Sequence, residues 1–403
     1  MRILIVSQYF WPEKFRINDL AVGLKEKGHE VEVLTGKPNY GKTTFYEGYS
    51  FLNKSRETWN DIKIHRAALI PRHKANNIDL VFNYLSFALF GSIKAFFLKG
   101  RYDKIFVFVP SPIISGVPAI VLKRRKKIPI YFWVQDLWPE SVTATTDIKN
   151  KRIINFLESV THWIYKNCDK ILIQSQAFTP SILQRANDEK KIIYYPNSVE
   201  ALYKVVSPLG EFKRQLPQGF TVMFAGNIGE AQDFNTLLNA ACITRDHNKN
   251  IKWVIIGDGR KKPYVEQKIA DNNLQDVFFL LGERPVEQMP NFFACADCLL
   301  VSLKSNYIFS LTIPSKVQSY LACGKPLIGA LDGEGARIIK DANAGLVSDA
   351  EDSVGLANNI EKMSKMSVSE RAKLGNNARA YFELEFEREK LLDKLEDIFK
   401  SDL

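Results

Sequence analysis

Ile3-Leu4-Ile5-Val6, then Ile17, Asp19, Leu20, Val22 and Leu24, then Gly28, then Val31-Glu32-Val33-Leu34 form the stretch that decides the fold. The first run is apolar without a break, as in a strand buried on both faces. The second group has helical spacing, and Gly28 suits the left-handed residue that ends a helix. Another strand follows at once. The unit repeats, with strands expected at 62–64, 105–109, 130–134, 171–173 and 192–195 and helices near 78–98, 113–124, 151–166 and 177–186. Strands alternating with helices imply a parallel, doubly wound α/β sheet.

From Asn197 to Gly219 the alternation lapses, and Pro208, Gly210, Pro217 and Gly219 punctuate a linker. It restarts with strands expected at 220–225, 251–257, 277–281, 298–303 and 326–330, separated by helices at 232–246, 262–271, 286–295 and 315–323. After Val347 the pattern reads as helix to the end. The expected organisation is a first α/β domain over 1–200, a linker over 201–218, a second α/β domain over 219–375 and terminal helices over 376–403. Ligands of such sheets bind at the carboxyl ends of strands, so a cleft between the domains is the expected active site.

Composition sets the outer bounds. The chain has 403 residues, 46% hydrophobic and 25% charged, which excludes disorder and coiled coil and fits two globular domains. Lys+Arg 55 against Asp+Glu 45 leaves a net charge of +10. Cys168, Cys242, Cys295, Cys298 and Cys323 are scattered and odd in number, which disfavours a disulfide framework and points to a reducing, cytoplasmic compartment. The short apolar run after Arg2 leads straight into charged sequence, unlike a signal peptide.

Leu80 to Leu98 tests that reading, because its only polar residues are Asn83, Ser86, Ser92 and Lys94. Its length approaches that of a spanning helix. Lys94 would be costly in hydrocarbon, and the flanking strands belong to one sheet, so a helix packed on the sheet is expected. Arg72, Lys74, Lys99, Arg101 and Lys123-Arg124-Arg125-Lys126-Lys127 add basic charge beside it. Such a pairing suits an anionic lipid surface, although a solvated charge run is the plainer explanation.

Several motifs bear on chemistry. Gly36-Lys37-Pro38-Asn39-Tyr40-Gly41-Lys42-Thr43 matches the P-loop pattern, but a P-loop must open a helix, and Thr44-Phe45-Tyr46-Glu47-Gly48-Tyr49 reads as loop. Gly257-Asp258-Gly259 lacks the third glycine of a dinucleotide fingerprint and reads as a strand-to-helix turn. Cys295-Ala296-Asp297-Cys298 has no partner pair and reads as packing. Without an Asp-x-Asp pair or His at i, i+4, a metal-dependent transferase or hydrolase is disfavoured.

Thr312-Ile313-Pro314-Ser315-Lys316 is more pointed. Thr312 is a candidate N-cap, Pro314 starts a helix, and Lys316 places a cation where the helix dipole favours an anion. A bound phosphate would resolve that conflict. Gly226-Asn227-Ile228-Gly229, after the first strand of the second domain, leaves room for a ligand to approach backbone. Together the two segments favour a nucleotide diphosphate. In the first domain, Val134-Gln135-Asp136-Leu137-Trp138-Pro139-Glu140 sets an acid beside an aromatic wall suited to a sugar, or else caps a turn. Pro12-Glu13-Lys14-Phe15-Arg16 lies on the same sheet edge.

Ser7-Gln8-Tyr9-Phe10-Trp11-Pro12-Glu13, Gly28-His29-Glu30-Val31 and Gln135-Asp136-Leu137-Trp138-Pro139-Glu140-Ser141 resemble GT-B-fold, family 4 glycosyltransferases. Ala225-Gly226-Asn227-Ile228-Gly229, Ile313-Pro314-Ser315-Lys316 and Tyr320-Leu321-Ala322-Cys323-Gly324-Lys325-Pro326 extend the resemblance over nearly the whole chain. Within the family the chain is most similar to bacterial O-antigen and capsule transferases of N-acetyl-L-fucosamine. The resemblance implies two Rossmann-like domains with a C-terminal helix returning to the first. It implies a UDP-sugar donor on the second domain, contacted by Gly226, Asn227, Gly229, Arg260, Arg284, Lys304, Pro314, Ser315, Lys316 and Ser319. It implies an acceptor on the first, a saccharide linked to polyprenyl diphosphate, near Phe10, Glu13, Arg16 and Trp138. Asp136 and Lys316 are the expected catalytic residues, with retention of configuration and neither metal nor cofactor.

The chain departs from the family where many members carry two Glu eight residues apart, since Leu311 and Ser319 stand there. Asn227 replaces a frequent basic residue, and Gly282-Glu283-Arg284-Pro285 matches the loop that holds the base in relatives. The implied setting is the cytoplasm, peripheral on the inner face of a bacterial membrane, without nucleic acid. Two other readings stay open: a UDP-sugar epimerase of similar fold, and a P-loop nucleotide-binding protein using Gly41-Lys42-Thr43.

Overall fold

The apolar run at the start of the chain becomes an interior strand of an eight-stranded sheet. In the computed structural model, which describes residues 1–73, 77–145 and 150–401, this sheet comprises β1 (Arg2–Val6), β2 (Glu30–Thr35), β3 (Arg56–Trp59), β4 (Ile62–Arg66), β5 (Lys104–Val109), β6 (Ile130–Val134), β7 (Lys170–Ile173) and β8 (Ile192–Tyr194). The order is β3-β4-β2-β1-β5-β6-β7-β8, and only β3 runs antiparallel to its neighbour. β1 and β5 are buried almost throughout, as a strand with helices on both faces must be. β3 is the strand that periodicity misses. It is a short, half-exposed edge strand closed on β4 by Asn60-Asp61, both at positive φ (48° and 55°), the geometry of a tight hairpin turn.

The second sheet has six parallel strands: β9 (Phe220–Ala225), β10 (Ile251–Ile256), β11 (Phe278–Leu280), β12 (Cys298–Ser302), β13 (Leu327–Ala330) and β14 (Gly345–Ser348). Their order is β11-β10-β9-β12-β13-β14. Beyond Val347 the chain is helical as expected, in Ser353–Lys365, Val368–Glu385 and Arg388–Lys400, but β14 is an addition to the expected strands. It is an edge strand of Gly345-Leu346-Val347-Ser348, too short to show a period and mostly half-buried. Apolar side chains from both faces of this sheet form two separate core clusters.

The chain divides into one unit of Met1–Asn197 with Leu391–Leu403 and another of Ser198–Lys390. Residues 201–218, expected as a linker, belong to the second unit, where Phe212 packs edge-on against Phe292 at 5.0 Å. The helix Val368–Glu385 also belongs there, because Gly375 lies against the backbone of Gly324 so closely that an added Cβ would meet its carbonyl oxygen at 2.3 Å. The return to the first unit begins at Leu391 rather than 376. Leu391, Leu392, Leu395, Ile398 and Phe399 are buried in its core, with Phe399 edge-on to Tyr131 at 4.8 Å.

The helix Asn77–Phe97 is long and apolar enough to cross a membrane, but β4 and β5 on either side of it belong to one sheet. Phe87 is buried with Ala67 and Leu69, whereas Ile78, Val81, Phe82, Leu85, Leu89, Ile93, Phe96 and Phe97 are exposed. That leaves a stripe down the outer face at helical spacing. The basic run is not simply solvated. Lys123 pairs with Asp169 at 2.5 Å, and Arg125 and Lys126 donate to the carbonyls of Phe96 and Gly100, just where the apolar helix ends. Cations there satisfy otherwise open helix carbonyls. Lys74 lies outside the described residues.

The P-loop match is overturned. No helix follows Gly41-Lys42-Thr43, and the Lys42 ammonium sits over the Tyr46 ring at 4.4 Å. Of the C-x-x-C pair, Cys298 is buried within β12 and Cys295 ends a helix.

Candidate active site

Three loops at the carboxyl edge of the second sheet are stitched together by backbone. Gly226 N–H donates to Ile256 O at 2.8 Å, Ile228 N–H to Asp258 O at 2.8 Å and Gly257 N–H to Gly282 O at 3.0 Å. The approach is so close that a Cβ on Gly257 (φ +145°) would lie 1.9 Å from Gly226 O. Gly257→Ala is therefore expected to destabilise the protein by about 1–3 kcal/mol, from backbone strain and overpacking together. A melting curve that matches the wild type would remove this account of the loops.

Between these loops and the helix Ser315–Ala322 lies a cavity of about 410 Å³. Gly226, Asn227, Arg284, Ser315, Lys316 and Ser319, all anticipated, line it. The helix begins at Pro314 without a side-chain cap. Its first amides are thus left for a ligand. Thr312, the candidate cap, instead donates to Phe309 O at 3.2 Å and ends the preceding short helix.

Lys316 is the electrostatic centre. Its Nζ stands 3.6 Å from the centroid of the Phe224 ring, and no carboxylate offsets its burial, which pushes the ammonium down to about 7. A Cβ on Gly226 would meet Lys316 Cε at 2.6 Å, so glycine there makes room for this side chain. A buried cation beside an uncapped helix N-terminus costs stability until an anion joins it.

Other anticipated residues fall elsewhere. Lys304 does not line this cavity; Glu230 holds it in an ion pair and also pairs with Lys261 at 2.5 Å. Those two cations hold the Glu230 carboxyl down to about 2. Arg260 is exposed on a turn, and Gly229 is buried in its loop, both outside the lining. Ser319 lines the cavity but donates its hydroxyl to Ser315 O at 3.0 Å.

Residues that motif reading passed over complete the walls. Tyr203, from the expected linker, stacks on Phe293, and both line the cavity with Tyr320, Asp258 and Glu283. Tyr320 is tied to β9, accepting from Ala225 N at 3.0 Å. The signal for Asp258 was present, since Gly257-Asp258-Gly259 was read as a turn; Tyr203 had none, because only the packing of 198–218 brings it there.

In the first unit, Asp136 follows β6 and is mostly buried. Burial pushes its carboxyl up to about 6, helped by the like charge of Glu140 and against hydrogen bonds from Ser141, the Leu137 amide and Ser111. Trp138 Nε1 donates to Ser111 Oγ at 3.3 Å, so Asp136 and Trp138 share the same serine after β5.

Phe10 and Glu13 are corrected. The Phe10 ring is fully buried, edge-on to Trp59 at 5.6 Å, and presents no surface to an acceptor. Glu13 is also buried, its carboxylate accepting amides of Phe10, Asn39 (2.8 Å) and Tyr40 (2.7 Å); it clamps the loops after β1 and β2 together. Arg16 opens the helix Arg16–Glu26 and is half-buried.

Comparison with known proteins gives this geometry a family. A family described as "Glycosyl transferase 4-like domain" matches residues 15–198, and "Glycosyl transferases group 1" matches 211–381. The protein assigned to colanic acid biosynthesis as glycosyl transferase WcaI of Escherichia coli is 22% identical over 80% of this chain and 82% of its own. The lipopolysaccharide 1,2-N-acetylglucosaminetransferase of Salmonella typhimurium is 23% identical over 58% of this chain and 63% of its own. The solved structure of Anabaena Alr3699/HepE in complex with UDP and glucose superposes with a TM-score of 0.68 at 16% identity, covering 100% of both chains. This chain is a GT-B-fold glycosyltransferase, made of a glycosyl transferase 4-like domain followed by a group 1 domain.

Proposed function

We propose that the enzyme transfers a sugar from a UDP-sugar to a saccharide acceptor carried on polyprenyl diphosphate, in the synthesis of a bacterial surface polysaccharide. The observation that carries this reading is the unpaired Lys316 beside the uncapped N-terminus of Ser315–Ala322, in a cavity of about 410 Å³. Those groups neutralise a diphosphate as it departs, which is how such a site lowers the barrier. The relatives' names support the polysaccharide setting, and the structural relative bound to UDP and glucose supports the donor.

Asp136, with its carboxyl at about 6, orients the acceptor hydroxyl or steadies positive charge on the sugar ring. The resemblance supports N-acetyl-L-fucosamine as the sugar, retention of configuration and a reaction without metal. Thermal shifts with a panel of nucleotide-sugars test the donor; stabilisation by a non-uridine nucleotide-sugar alone would sink the UDP reading. Release of a free epimer without acceptor would favour an epimerase instead.

The cytoplasmic membrane surface is the proposed location. Its support is the exposed apolar stripe of Asn77–Phe97 with Arg124, Arg125 and Lys126 near its end. Vesicles containing phosphatidylglycerol are expected to bind the protein at low salt and release it at high salt, since lipid charge is screened. Phe82→Asp together with Leu85→Asp should abolish binding. Sedimentation of the double variant with vesicles at wild-type levels would exclude this face.

A further inference from the structure

A second cavity, also about 410 Å³, lies in the first unit, lined by Lys37, His65, Arg66 and Lys94 on its polar side and by Phe90 and Ile93 among its apolar walls. Lys37 is only 1% exposed, and its Nζ is buried without a hydrogen-bond partner. His65 binds Glu32 through Nε2 at 2.8 Å and leaves Nδ1 buried and unpartnered. Lys94 donates to Ser55 O at 2.8 Å. The nearby carboxylate of Glu57 is already taken by Arg66 and by the Tyr49 hydroxyl. Cations therefore outnumber available anions, and the ammonium of Lys37 is pushed down to about 8 by burial and by Arg66 and Lys94.

Burying an ammonium without a partner is costly, and a neutral ligand would not relieve that cost. An anion would. The opposite wall is apolar and opens outwards: Phe51 packs edge-on to Phe90 at 5.5 Å, and Leu52, Ile93 and Phe97 are 85%, 48% and 70% exposed. The walls continue into the apolar stripe of the helix Asn77–Phe97.

We propose that this cavity binds the diphosphate head of a single-chain, polyprenyl-type lipid, with Lys37 and Lys94 on the phosphates and Phe90, Ile93 and Phe97 along the chain. The proposal rests on the lipid-linked acceptor reading above and gives that acceptor an anchoring site. Topology fits one molecule to both ends. Lys37 follows β2 and Asp136 follows β6 at the same edge of one parallel sheet, and three strand spacings, β2 to β1 to β5 to β6, amount to about 14 Å. The anchored phosphate and the reacting sugar would occupy the two ends of that span.

Farnesyl diphosphate is a soluble probe for the full-length protein by calorimetry. It is expected to bind, with inorganic pyrophosphate at least tenfold weaker. Lys37→Met should lower its affinity tenfold or more, and Ile93→Asp, at an exposed position that does not endanger folding, should lower it as well. Both variants should keep wild-type UDP affinity, and Lys316→Ala should keep farnesyl diphosphate binding. Absence of binding to the wild type, or affinity unchanged in both variants, overturns the proposal. So does pyrophosphate binding as tightly as the farnesyl ester, or Lys37-dependent binding to phosphatidylglycerol vesicles without binding of the probe. Loss of the probe in Lys316→Ala would place it in the second unit and overturn the site. Full-rate transfer by the wild type to a soluble acceptor but none to the same saccharide on polyprenyl diphosphate, with probe binding depending on Lys37 as expected, would instead refute the lipid-linked acceptor while leaving the cavity's ligand in place.

Discussion

Asp136→Asn is expected to fold, to bind UDP as the wild type does, and to transfer sugar about 10²-fold more slowly or worse, the usual cost of losing an acid–base or electrostatic group. Asn keeps the size of the side chain and its oxygen for the Leu137 amide, so only the charge is removed. The groups proposed to hold the donor line a cavity of the second unit, whereas Asp136 belongs to the first, so donor affinity should not follow the rate. Burial raises the carboxyl from 3.8 to about 6, which means that it is ionised above that pH and progressively protonated below it. Wild-type turnover should therefore fall as pH drops through about 6, and that acidic limb should vanish from the residual activity of the variant. Stability supplies a second sign. The native state binds the proton that the unfolded state has already lost between 3.8 and about 6, so the ionised group costs stability above that window. Asp136→Asn should melt no lower than the wild type at neutral pH. If it transfers at the wild-type rate, Asp136 merely caps the turn after β6.

Lys316→Ala should weaken UDP binding by about 1.5–3 kcal/mol, the range for hydrogen bonds to charged groups. The unliganded fold should not suffer, because burial of this ammonium is a cost and not a contribution. The same burial sets a pH signature. With the free lysine titrating at about 7, roughly half of it is neutral at pH 7, and a bound diphosphate restores its proton. UDP binding should take up roughly half a proton there, as read by calorimetry in buffers of different ionisation enthalpy. Affinity should be level below pH 6 and decline as pH rises above about 7. Lys316→Ala should lose both the uptake and the slope. A wild type that takes up no proton, with a mutant of unaltered affinity, would move the diphosphate away from this helix.

The strand runs were legible because a buried parallel strand needs nothing but apolar residues, as in Ile3-Leu4-Ile5-Val6 and in Ile251 to Ile256. The helix starting near Ser315 and the misplaced cation within it were legible for a local reason as well, since the conflict between Lys316 and the helix dipole exists within one turn of chain. From these alone followed two wound α/β sheets, a proposed anion site on the second and an acid after β6 on the first. Edge strands β3 and β14 were not legible, because a strand covered on one side only needs no continuous apolar run. Side-chain direction was the other gap. Phe10 and Glu13 sit at the sheet edge where ligands bind, yet only packing against Trp59 and the three amides turns them inward. Tyr203 reaches the cavity beside Lys316, and Lys304 is drawn to Glu230 instead, through contacts between residues distant in sequence. The unpartnered Lys37 is the sharpest case. In sequence it belongs to a false P-loop, and only the tertiary arrangement of β2, β4 and the helix Asn77–Phe97 buries it without a counterion. Sequence determined which segments could be strands, helices and charged ends; the three-dimensional fold decided which charges found partners, because pairing depends on distance in space and not along the chain.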